Sequence, residues 1–88
     1  MKINGKFVKR EVLGDIILVP VGQTALEFSG MITVNEVGLF IWNLLEQGAE
    51  EEQIVAAMTE EYEVEPETAR EDYKAFLQTL IQNHFVSE

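Results

Sequence analysis

The sequence predicts an α+β fold: a small antiparallel three-stranded sheet followed by a three-helix bundle. Two observations carry this expectation. Apolar residues recur at a spacing near two over the first third of the chain and at three and four beyond Asn35. The changes of period coincide with Gly, Pro and Asn residues, which punctuate regular backbone. With 88 residues, 47% hydrophobic and 25% charged, the chain has a globular composition and the size of one domain, residues 1–88.

Residues 7–13 (FVKREVL) and 16–21 (IILVPV) read as β-branched strands joined by a tight turn at Gly14-Asp15. Pro20 has no N–H to give a ladder, so it belongs at an edge or a strand end. Gly22-Gln23-Thr24 reads as a turn, residues 25–28 as a weaker extended stretch, and residues 31–34 (MITV), after Ser29-Gly30, as a short third strand. Asn35 is a good N-cap ahead of Val37, Phe40, Ile41, Leu44 and Leu45, which predict helix one over about residues 36–46, closed by Gln47-Gly48. Glu50, Glu51 and Glu52 favour the positive end of helix two, which carries Ile54, Val55, Met58 and Tyr62, although Glu50 is a poor N-cap. Pro66 opens helix three, with Ala69, Tyr73, Phe76, Leu77, Leu80 and Ile81 toward its buried side and an end near Asn83. Three strands and then three helices is the layout of a winged helix-turn-helix module.

Charge and residue inventory exclude several functions. Six Lys and Arg against 16 Asp and Glu give a formal charge of −10, which repels a polyanion over most of the surface, so nucleic acid is not an expected partner. Without cysteine there is no disulfide, no thiolate nucleophile and no cysteine-based zinc site. His84, the single histidine, falls at a helix end, and the glutamate clusters at residues 50–52 and 60–67 lack the spacing of a calcium loop. No phosphate-binding glycine loop or nucleophile elbow is present. The expectation is therefore no catalytic residue, no metal and no cofactor. Apolar runs fall far short of the ~20 residues that span a bilayer, and residues 1–6 lack the apolar stretch of a signal peptide, so no membrane partner and a cytoplasmic location are expected.

Two surfaces remain. On helix three, Leu77 and Ile81 lie at the margin of the apolar face beside Arg70 and Lys74, which gives an apolar strip with local positive charge suited to an amphipathic peptide carrying acidic residues. The plainer reading packs Leu77 and Ile81 under the sheet and pairs Arg70 and Lys74 with Glu67 or Glu71. The second surface is the third strand, Gly30, Met31, Ile32, Thr33 and Val34. No proline or inward charge blunts it, so its edge can accept an added strand.

The segments VNEVGLFIWNLL (residues 34–45), EQIVAAM (52–58), EEYEV (60–64) and ETAREDYKAFL (67–77), ending in NHFV (83–86), resemble the PqqD family. The stretch of residues 23–30 is more apolar than is usual there, and Val37 stands where threonine is common. The resemblance implies a non-enzymatic module that recognises the leader of a ribosomally made precursor peptide and presents it to a modifying enzyme, often a radical-SAM enzyme. It implies a leader added as a strand to Gly30, Met31, Ile32, Thr33 and Val34, with Arg70, Tyr73, Lys74, Leu77 and Ile81 as the facing wall. Two other classes fit the layout: a winged-helix DNA-binding regulator, disfavoured by the acids Glu67, Glu71 and Asp72 on helix three, and a homodimer whose strand edge pairs with itself.

Overall fold

The computed structural model describes residues 1–27 and 30–88. Its elements are β1 (Lys2–Ile3), β2 (Phe7–Val12), β3 (Asp15–Pro20), α1 (Gln23–Glu27), β4 (Ile32–Val34), α2 (Glu36–Glu46), α3 (Glu51–Tyr62), α4 (Pro66–Gln82) and β5 (Val86–Ser87). The expected α+β architecture is present: β2, β3 and β4 form one antiparallel sheet in that order, and α2, α3 and α4 follow it.

The β2–β3 register pairs Phe7 with Pro20 and Val12 with Asp15. The two loop residues are therefore Leu13 and Gly14, a correction by one position to the expected Gly14-Asp15 turn. Both have positive φ, 53° and 89°, because only a turn of that hand matches the twist of the strands it joins.

Val21 donates its N–H to the Lys6 carbonyl at 3.0 Å. Alternate residues of an antiparallel strand bond to opposite sides, so odd-numbered β3 residues face β2 and even-numbered ones face β4. Pro20 consequently lacks its donor only on the β4 side, where pairing has already ended at Leu18 and Ile32. The same alternation commits the backbone groups of Ile32 and Val34 to β3 and turns those of Thr33 outward.

The expected extended stretch at residues 25–28 is corrected as well. Ala25, Leu26 and Glu27 belong to the short helix α1, while Phe28 and the Ser29 of the expected turn lie outside the described residues. Local bonding explains the difference: Ala25 donates to the Gly22 carbonyl at 3.1 Å, and Thr24 Oγ1 accepts the Lys6 N–H at 2.7 Å. Gly5 makes room for this, since a Cβ there would lie 2.5 Å from Thr24 Oγ1 and its φ is +155°.

Helix α2 keeps the expected bounds, and its N-cap works as expected, with Asn35 Oδ1 accepting the Gly38 N–H at 2.8 Å. At the start of α3, Gln53 Oε1 accepts the Glu50 N–H at 2.8 Å, the N3-to-N-cap half of a capping box between the two residues. Pro66 opens α4 and Asn83 caps it.

An element the sequence did not announce joins the two ends. β1 pairs antiparallel with β5, with Lys2 opposite Ser87, and Asn4 adds bonds from its N–H to the Phe85 carbonyl (2.8 Å) and from Nδ2 to the His84 carbonyl (3.1 Å). Phe7 stacks on Phe85 with centroids 4.3 Å apart and meets Trp42 edge-on at 5.5 Å. Around them the core gathers Leu18, Ile41, Ile54, Met58 and Leu80, all fully buried. Trp42 is fully buried in the core, and its Nε1 has no hydrogen-bond partner among the described residues. Phe40 is half-buried and packs edge-on against Tyr62.

Candidate peptide-binding site

β4 is one of the two lateral strands of the three-stranded sheet, β2 being the other, and pairs only with β3 among the described residues. Ile32 and Val34 point into the core, while Met31 and Thr33 are exposed. The free edge therefore offers the Thr33 N–H and C=O, and the Met31 groups one step earlier, to an added chain.

Where β4 ends at Asn35, a cleft of about 350 Å³ opens between α2 and α4, lined by Asn35, Val37, Gly38, Ile41, Asp72, Ala75, Phe76 and Thr79. Gly38 sets its depth. A Cβ there would lie 3.0 Å from Phe76 Cε1 and 3.3 Å from Asn35 Oδ1, so glycine lets α2 and α4 approach with the Phe76 ring between them.

On α4 the cleft side chains are Asp72, Ala75, Phe76 and Thr79, at the i, i+3, i+4, i+7 spacing of one helix stripe. None of the five helix-three positions expected to form the wall lines this cleft. Arg70, Lys74, Leu77 and Ile81 form a stripe centred about 180° round the helix from the cleft stripe, at 3.6 residues per turn. Tyr73 is 2% exposed and belongs to the core, where burial, with Glu51 and Glu50 adding to it, pushes its phenol above the ordinary value. Leu77 packs against the core, and Ile81 borders a separate depression with Met1, Asn4, His84 and Val86.

Arg70 has a different task. It donates to Glu51 and, at 2.9 and 3.2 Å, to both carboxylate oxygens of Glu52 at the start of α3, rather than pairing with Glu67 or Glu71 on its own helix. The hydrogen bond from Arg70, more than its charge alone, holds the Glu52 carboxyl below its ordinary value. Lys74 is exposed and makes no ion pair among the described residues. The sequence signal that could have found the cleft wall was the stripe of one small, one aromatic and two short polar residues at positions 72–79, masked by the more conspicuous basic flank.

Among the described residues, no group of three or more His, Cys, Asp or Glu side chains is placed to hold a metal ion. Among the described residues, no helix is long and apolar enough to cross a membrane.

A three-stranded sheet whose β4 edge is unpaired among the described residues and opens onto a helix-walled cleft defines a small α+β module built around an accessible strand. The chain belongs to the PqqD family: the family model described as "Coenzyme PQQ synthesis protein D (PqqD)" matches residues 16–86. No curated protein matches the chain. Among solved structures it is similar to the protein in "TbiB1 in Complex with the TbiA(beta) Leader Peptide", at 27% identity, with all of both chains covered and a TM-score of 0.76.

Proposed function

We propose that this protein is a non-enzymatic adaptor that binds the leader of a ribosomally synthesised precursor peptide by strand addition and presents it to a modifying enzyme, such as a radical-SAM enzyme, in the cytoplasm. The observation that carries the reading is the unpaired edge of β4 beside the α2–α4 cleft. Membership of the PqqD family and similarity to a chain solved with a leader peptide support it.

In this reading the leader pairs along Gly30, Met31, Ile32, Thr33 and Val34, with Met31 and Thr33 supplying the bonds and alternate leader side chains dropping toward the cleft. Val37, Ile41 and Phe76 receive an apolar anchor. The wall is thus the Asp72, Ala75, Phe76 and Thr79 stripe of α4, not the Arg70, Tyr73, Lys74, Leu77 and Ile81 set that the resemblance implied.

Thr33→Pro tests this. Proline at an edge position whose N–H faces solvent leaves the β3 ladder intact, since that ladder uses Ile32 and Val34, but removes one outward donor and obstructs an incoming strand. Titration calorimetry with the synthetic leader segment of any short precursor-like reading frame found beside the gene should show binding by the parent protein. The folded Thr33→Pro protein should bind at least about tenfold more weakly, the order expected for one or two lost backbone bonds. Equal affinity in the two proteins overturns strand addition at β4.

A further inference from the structure

The edge and the cleft are framed by carboxylates. A second depression, lined by Glu11, Gly14, Asp15, Ile16, Thr33, Val34, Asn35 and Glu36, adjoins the first through Asn35. A segment bonded to Thr33 therefore runs beside Glu36, with Asp15 on β3 one strand beyond β4 and Glu11 on β2 two strands beyond it, and approaches the depression lined by Asp72 on the other side. No Lys or Arg lines either depression, and none of these four carboxylates forms an ion pair among the described residues. Glu36 also sits in the first turn of α2, where it offsets the positive end of that helix. The two cations that the sequence marked as peptide contacts are on the opposite flank of α4, and Arg70 already has two acidic partners.

We infer that the cleft selects a peptide bearing Lys or Arg within about two residues of the position paired with Thr33, beside an apolar residue seated against Val37, Ile41 and Phe76. The inference rests on strand addition at β4 and names the chemistry of the occupant. The sign is opposite to that expected from the sequence, where Arg70 and Lys74 suggested an acidic peptide. Exposed Glu36 and Asp72 on either side of this strand end, with Asp15 and Glu11 farther in across the sheet, make a field that favours a cation and repels an anion, and such rim charges act mostly on association rate and selectivity.

The probe is a displayed library of random 16-residue segments. It is selected on the parent protein, on Thr33→Pro and on the double variant Glu36→Gln/Asp72→Asn, whose two sites are exposed. Segments captured by the parent but not by Thr33→Pro should be enriched several-fold in Lys and Arg over Asp and Glu, and should bind more weakly as salt is raised. The double variant should keep the apolar preference and lose the charge bias. Thr33-dependent capture of neutral or acidic segments, or an unchanged bias in the double variant, overturns this inference and leaves strand addition standing. Failure of the parent to capture any Thr33-dependent segment overturns strand addition itself.

Discussion

Leu13 is the residue most at odds with its conformation. Its side chain is fully exposed, at 101%, and gains nothing from packing, while its φ of 53° places an L side chain in the left-handed region at a cost of about 1–2 kcal/mol. Asparagine tolerates that region far better and is a preferred first residue of such a turn. Leu13→Asn is therefore expected to stabilise the protein by about 1 kcal/mol, which for a domain of this size raises the thermal midpoint by roughly 4–8 °C. Thermal melts followed by circular dichroism check this, and an unchanged or lowered midpoint would show that the turn is not strained. The sequence placed a turn here correctly but set it one residue late, because Gly14-Asp15 is as good a turn pair on composition as Leu13-Gly14 is a poor one. Strand register, fixed by which side chains reach the core, overrode that local preference.

Helices were legible because their signals are local. The Asn35 cap, the stop at Gln47-Gly48 and Pro66 at the first turn of α4 each act within one turn of chain, and the apolar period did the rest. Which flank of α4 faces the cleft was not legible, since it depends on Arg70 finding Glu51 and Glu52 on a different helix. That contact makes a pH prediction. The Glu52 carboxyl lies below its ordinary value in the folded protein. Its contribution to stability is therefore complete above the unfolded carboxylate range and is lost as pH falls through the lower folded value; Arg70 stays charged throughout. Arg70→Met should lower the thermal midpoint at pH 7, and the gap to the parent protein should close as pH drops through and below the carboxylate range. A gap that persists at pH 2–3 would assign the effect to packing of the Arg70 stem instead. Leader affinity should be the same in both proteins, because Arg70 does not line the cleft.

At the scale of the molecule, the sheet, the helices and their order could be read from hydrophobic period, and the free edge could be read from the brevity and composition of residues 30–34. The α2–α4 cleft could not, because Gly38 and Phe76 meet across 38 positions of sequence. Nor could the pairing of β1 with β5, two-residue strands too short for any period to register. That pairing makes the backbone nearly a closed ring. Lys2 faces Ser87 across a ladder, and Ser87 Oγ donates to Asn4 Oδ1 at 2.9 Å, so a few-residue bridge could fuse residue 88 to residue 1 while new ends are cut between Gly48 and Ala49, in the exposed link between α2 and α3. Such a circular permutant is expected to keep the parent's circular dichroism spectrum and its leader affinity, and loss of either would show that the ring depends on where it is opened. Because residues 1 and 88 leave from one seam, a cargo protein tethered at either would hang from the same point on the surface.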